Sequence, residues 1–288
     1  MNKAQALSVS IIIPVFNEEN HIGKCLEAIK KQSVKPLEVI VVDNNCTDGT
    51  IAIARKYPFV RVVKEPIQGR TVARARGFDV AKGDILGRID ADSVVMTDWV
   101  KRVVADFQDP SVGGLTGLGS TRVIMGLNWH STLWSRAYFL NIRSLHGIVS
   151  TWGANMAVRR SAWQDIKDDM APNGLLVHED QDVAYQLIGH GHRVVQDNKL
   201  IIRTHGGSVL YWPKYWDYMK KTFRMKAYHD RKGTLSGHKE LQISLPRRLI
   251  SGLVGLIPAM LFTIYALISW PIFKALHHID SNKLKEIR

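Results

Sequence analysis

Asp90 and Asp92 stand two positions apart directly after an apolar run at 85–89. On an extended segment their side chains face the same way, whereas a helix would separate them. Two hard anionic oxygens on one side of a loop suit a divalent cation that keeps waters and completes its shell with a substrate diphosphate. An Asp-x-Asp pair is also common turn chemistry, so its place in the chain has to decide between the two readings. Other carboxylates close other apolar runs, in Pro14-Val15-Phe16-Asn17-Glu18-Glu19 and in Asp43-Asn44-Asn45-Cys46-Thr47-Asp48-Gly49-Thr50. Taken singly, Asp48 reads as a helix cap and Glu19 as a first-turn residue favoured by the helix dipole; Asp43 has no such simple explanation. Arg70 and Arg74 are four apart and share a helical face near a predicted helix start, where phosphate can be met. Arg76 reads as a solvated charge. A second acidic group, His178-Glu179-Asp180-Gln181-Asp182, precedes a helix-like segment. By itself it is a helix cap and first turn, but a displacement that expels a diphosphate needs a base for the incoming hydroxyl besides a metal for the leaving group. Asp180 is the candidate base and Glu179 its partner, orienting it or binding the acceptor. Gly153 and Asn155 offer close backbone approach and a polar side chain to an acceptor. His205, after a predicted strand at 200–204, is a further candidate metal ligand, beside the ordinary structural role of a lone histidine.

The elements that would position these residues alternate in period. Residues 9–15 read as a buried strand, and 20–31 as a helix with Ile22, Cys25, Leu26 and Ile29 on one face. Strands are predicted at 37–42, 60–63 and 85–89, with helices at 50–57, ending before Pro58, and at 71–81. Three consecutive strand–helix units predict a doubly wound sheet, whose ligands bind beyond the carboxyl ends of the strands. No G-x-G-x-x-G follows the first strand and no G-x-x-x-x-G-K-[ST] occurs, so dinucleotide-binding and P-loop readings fall. Past Asp92 the pattern weakens: a helix is predicted at 99–107, but the run from Gly113 to Gly119 shows no clear period, and Gly153-Ala154-Asn155-Met156 is placed after a strand.

With 288 residues and 45% apolar content, the chain can bury a large core, which excludes disorder. A formal charge of +13 calls for anionic partners: nucleic acid, a membrane surface or a phosphorylated substrate. No zinc-finger or RRM pattern appears, so nucleic acid is not expected. Cys25 and Cys46 lack the spacing of a disulfide framework or thiolate metal site, which fits a reducing compartment. Residues 1–7 are too polar for a secretory signal. Residues 249–273 carry no charge, and at about 1.5 Å per residue they suffice to cross a hydrocarbon core of about 30 Å. They are expected to span the membrane; Pro258 and Pro271 leave open a helix lying in its interface. The expected division is a catalytic domain at 1–210, a basic and aromatic juxtamembrane helical region at 211–248, a membrane-embedded segment at 249–273 and a basic tail at 274–288. The expected location is the bacterial cytoplasmic membrane, with the catalytic domain facing the cytosol and membrane lipids as partners.

In this order, Ile11-Ile12-Ile13-Pro14-Val15-Phe16-Asn17-Glu18, residues 41–50, Ala73-Arg74, Asp90-Ala91-Asp92, Gly153-Ala154-Asn155 and Glu179-Asp180 resemble the family 2 glycosyltransferases over residues 8–208. The resemblance implies an α/β GT-A fold: a doubly wound, mostly parallel, Rossmann-like sheet, here with a C-terminal hydrophobic helix. It implies that Pro14, Glu18 and Asp43 line the nucleotide pocket, with Asp43 reading the base, and that Asn17, Arg70, Arg74 and Ala91 belong to the same donor side. Asp90 then lies near the ribose and sugar, Asp92 binds Mg²⁺ or Mn²⁺ (with Asp90 and His205 as further candidate ligands), and Asp180 serves a single inverting displacement. Two departures matter. Ala75 stands where the family commonly has Asn after Ala-Arg, and no Gln-x-x-Arg-Trp follows Glu179-Asp180, which favours transfer of one sugar over polymer synthesis. The expected function is transfer from a UDP- or GDP-sugar to a lipid-linked or glycan acceptor. The alternative is a catalytically inactive nucleotide-sugar-binding or scaffold protein on the same fold.

Overall fold

The computed structural model describes residues 7–122, 130–172, 178–204 and 212–254. The chain runs β1 (Val9–Val15), α1 (Ile22–Lys30), β2 (Glu38–Asp43), α2 (Thr50–Ala54), β3 (Val60–Lys64), α3 (Arg70–Val80), β4 (Ile85–Ile89) and β5 (Val94–Val95). It continues through α4 (Trp99–Asp106), β6 (Val112–Arg122), β7 (His130–Ser131), α5 (Leu133–His146), β8 (Asn155–Arg159), α6 (Arg160–Ile166), α7 (Glu179–Gly189), β9 (Arg193–Arg203) and α8 (Trp212–Lys232). The strands form one sheet in the order β3-β2-β1-β4-β8-β6-β9-β5, with β7 paired to β6. β1, β2, β3, β4, β6 and β9 run one way and β5, β7 and β8 the other, so the sheet is mostly parallel.

Strands β1 and β2 are apolar on both faces because helices cover both. Ile11, Ile13, Val39 and Val41 pack toward α1 and α4, against Leu26, Ile29, Trp99 and Val103. Ile12, Ile40 and Val42 point the other way, toward Phe78 of α3, Trp163 of α6 and Val183 of α7. Each such fully buried Ile or Val contributes about 1.5–3 kcal/mol. This double layer is the expected doubly wound architecture, and β1 and β4 occupy the predicted residues.

The departures have local causes. Helix α2 ends at Ala54 rather than 57, as Tyr57 turns to donate to Gly23 O at 3.2 Å. The glycine-dense run is a strand, β6, running antiparallel to β8 and parallel to β9. Glycine is usually disfavoured in strands, but a Cβ on Gly117 would collide with the Leu200 carbonyl and the Asn155 amide. Gly153 and Ala154 precede β8 instead of following a strand. The predicted strand at 200–204 is the end of the longer β9.

The expected C-terminal hydrophobic helix is only entered: residues 245–254 are helical, and 255–288, with most of the apolar stretch and the basic tail, lie outside the described residues. Among the described residues, no helix is long and apolar enough to cross a membrane.

Candidate active site

The parallel register sets Val15 beside Asp43 and Asp43 beside Lys64, so the chain leaves β1, β2 and β3 at one sheet edge. Because β8 is antiparallel to β4, with Ile89 opposite Asn155, the turn before β8 arrives at that edge too. The loops there are tied to one another. Asn17, in a left-handed conformation with φ of 54°, accepts the Thr47 N–H at 2.8 Å. The Glu18 amide donates to Thr50 Oγ1 at 2.7 Å and the Glu19 amide to Asp48 Oδ2 at 3.1 Å. Asp48 also accepts the Thr50 N–H at 3.0 Å, as its expected place at the helix start requires. Asp43 Oδ1 accepts the Cys46 N–H at 2.9 Å and pins the turn that follows β2. Pro14 is half-buried within β1, and Asn17 spends its side chain on Thr47, so its contribution is to shape the loop.

Asp90, Asp92 and Glu18 converge behind these loops. Burial raises the Glu18 carboxyl above its ordinary range, and the charges of Asp92 and Asp90 push the same way against a partner contact from His21. Ala91 between the aspartates is buried at 3% exposure, which orients the loop. Hard oxygens that repel one another are a donor set suited to a divalent cation. Among the described residues, no three His, Cys, Asp or Glu side chains close on one point. His205 lies outside the described residues.

One residue joins the two acidic groups that lie far apart in sequence. Arg88, only 4% exposed on β4, reaches Asp90 Oδ1 through Nη2 at 3.2 Å and Glu179 Oε1 through Nη1 at 3.1 Å. Gly153 makes room for it, since a Cβ there would come within 2.5 Å of Nη1. Buried Arg74 donates to the Glu179 carbonyl and lies 5.9 Å over the Trp163 ring. Burial acts against the Glu179 charge, yet Arg88, Arg74 and Arg70 together hold its carboxyl well below the usual glutamate range. Arg70, exposed at the start of α3, is thereby on the same side of the site.

Asp180 lies in the first turn of α7 beside this bridge and is 7% exposed. Its Oδ2 accepts the Gly153 N–H at 2.9 Å, its Oδ1 the Gln181 N–H at 2.9 Å, and its carbonyl the Thr151 hydroxyl. Burial raises its carboxyl pKa, and the neighbouring Glu179 charge raises it further. A carboxylate that holds its proton more tightly is a stronger base.

Asn155 has a different place from the one expected. It is fully buried; its Oδ1 accepts the Trp99 indole N–H at 2.8 Å, and its Nδ2 donates to Leu118 O at 3.1 Å and Leu200 O at 2.8 Å. With its amide committed, it knits β8 to β6, β9 and α4 and is not presented to an acceptor. Arg88 is the member that sequence reasoning missed, although a charged residue inside a buried apolar strand, two before Asp90, was the signal for it.

Residues 10–166 match the family described as Glycosyl transferase family 2, which is more than half of the chain. The chain belongs to glycosyl transferase family 2. Glycosyltransferase AglE of Haloferax volcanii is 36% identical over 111 residues, 36% of this chain and 36% of AglE. The match thus spans about a third of that relative's length. Among solved structures, the mannosyltransferase PcManGT from Pyrobaculum calidifontis, in complex with GDP-Man and Mn2+, superposes with a TM-score of 0.61 at 22% identity, covering 94% of this chain and 81% of that one. Residues 1–349 of S. aureus TarS in complex with UDP-GlcNAc give 0.52 at 19% identity, covering 69% of this chain and 58% of that fragment. At these identities the likeness shows the fold, and that fold is GT-A.

Proposed function

We propose that this family 2 protein transfers one sugar from a UDP- or GDP-sugar to a hydroxyl of a glycan or lipid-linked acceptor, with inversion at the sugar carbon. The observation that carries this reading is the Arg88 bridge, which places Glu179 and the adjacent Asp180 in one crevice with Asp90. Asp43, Glu18, Asp90 and Asp92 take the donor; Arg70, exposed at the start of α3, faces its phosphates, whereas Arg74, expected on the donor side, is fully buried and holds the Glu179 backbone instead. Bound Mg²⁺ or Mn²⁺, held by Asp92 with Asp90 beside it, would stabilise the charge of the departing diphosphate. Asp180 takes the proton from the acceptor oxygen as that oxygen bonds to the sugar carbon, and the bond to the diphosphate breaks on the opposite face. Glu179, fixed by Arg88, holds its charge and orients the start of α7. The complexes of PcManGT with GDP-Man and of TarS with UDP-GlcNAc support the donor class.

The test is incubation of the purified full chain with UDP- and GDP-sugars and Mg²⁺ or Mn²⁺, followed by release of nucleotide and by NMR of the product. Turnover of one donor with an inverted anomeric centre is expected; no turnover of any donor, or retention, sinks the reading.

The same reading sets the enzyme at a membrane. Leu249, Ile250, Leu253 and Val254 are exposed where the chain enters its uncharged stretch, next to Arg247 and Arg248. Exposed apolar side chains beside cations fit the interface of an anionic bilayer. The full chain should float with phosphatidylglycerol-containing vesicles and remain partly bound in high salt, whereas a chain found entirely in the unbound fraction contradicts the placement.

A further inference from the structure

Helix α8 packs on α7 through three residues that no step of the proposed reaction uses, two of which reach its first turn. Thr222, Met225 and His229, at spacings of three and four, form one fully buried face of α8. His229 Nε2 donates to Asp182 Oδ1 at 2.9 Å, and its Nδ1 meets Thr234 Oγ1 at 2.9 Å. Its ring stacks on Tyr185 with centroids 4.1 Å apart and planes 5° from parallel. Asp182 spends its other oxygen on the Ala171 N–H at 2.7 Å. Gln181, with no exposed surface, donates through Nε2 to the Tyr138 hydroxyl of α5 at 3.0 Å and to Thr222 Oγ1 at 3.3 Å. Met225 packs with Ile148, Ala184, Tyr185 and Ile188.

The two hydrogen bonds from α8 fall on Gln181 and Asp182, the two residues that follow Asp180. Buried polar side chains of one helix that hydrogen-bond to another fix its position as well as its contact, because a slide breaks those bonds with no water to replace them. Asp180 is held from the other side by Thr151 and Gly153, so the first turn of α7 lies between two sets of partners. We propose that His229, through Asp182, and Thr222, through Gln181, are positioning residues that let α8 set where the first turn of α7 presents Asp180. The proposal rests on the reading of Asp180 as the base. Helix α8, like α7, lies beyond residues 10–166, the span matched by the family.

The test compares His229→Leu and His229→Gln in the full chain, with thermal unfolding, donor binding, kcat and donor KM, and hydrogen exchange of the 179–183 amides. Leu removes the donor to Asp182, whereas the Gln amide restores one. The expected result for His229→Leu is a kcat lower by about 10- to 100-fold, the scale on which a small misplacement acts, with donor binding and donor KM unchanged and faster exchange at 179–183. His229→Gln should recover most of the turnover. Thr222→Val, a smaller change, should lower kcat several-fold with the same split and gives the answer if His229→Leu does not fold. A folded His229→Leu or Thr222→Val enzyme with wild-type kcat overturns the proposal, as does a His229→Gln enzyme no better than His229→Leu. Should the wild-type chain transfer no sugar at all, the functional reading fails while exchange still decides the latch: unchanged rates at 179–183 in His229→Leu or Thr222→Val refute it.

Discussion

A guanidinium with 4% exposure between two carboxylates is held by its charges, and Arg88 would be costly to bury without Asp90 and Glu179. The arrangement divides two adjacent carboxyls by environment. Glu179, facing arginines, stays charged; Asp180, buried beside Glu179, has its pKa raised. A base must be unprotonated to act, so turnover should rise with pH through the raised pKa of Asp180, and the acid limb of the kcat profile should lie above the ordinary aspartate value of 3.8. Measuring kcat under saturating donor and metal across the acid range checks this; a limb at or below that value contradicts the assigned base. Asp43, Asp90 and Asp92 stood out in the sequence as candidates because they follow apolar runs directly, and Glu179-Asp180 because they open a helix-like segment. The Arg88–Glu179 and His229–Asp182 contacts were not, since their partners lie 91 and 47 residues apart and no local pattern records such a pairing.

At the scale of elements, period and punctuation located β1, β2, β3 and β4 with α1 and α3, because strands buried on both faces and one-sided helices carry strong local patterns. β6 was hidden by its glycines, which serve close packing instead of turns: beside Gly117 there is room for Asn155 and the Leu200 carbonyl and for no Cβ. Asn155 was read by its motif as an acceptor ligand, yet its surroundings make it a stitch among β6, β8, β9 and α4. Asn155→Ala should leave the Trp99 indole N–H and two strand carbonyls without this partner, at about 1–3 kcal/mol for each buried group left unpaired. Denaturant unfolding should therefore show a loss of several kcal/mol, and a change below about 0.5 kcal/mol, the usual range of a surface substitution, would rule out the stitch.

Taken whole, the molecule brings the carboxyl edge of the sheet to the start of α7, and packs α8 on α7, from segments spread over most of the chain. The parallel strands deliver the carboxylates proposed to take the donor, the turn before β8 delivers Gly153 against Arg88 and Asp180, and α7 delivers the candidate base. The charge of +13 fits both an anionic donor and an anionic surface, and composition alone did not distinguish them. The division of labour between donor carboxylates and base is the central claim, and Asp180→Asn tests it most directly. With donor binding measured by calorimetry in the presence of Mg²⁺ or Mn²⁺, and transfer measured on the same preparation, the variant should bind nucleotide sugar as the wild-type does and lose turnover by at least about 100-fold, the lower end expected for a general base. Wild-type transfer by Asp180→Asn, or loss of donor binding together with transfer, would contradict it.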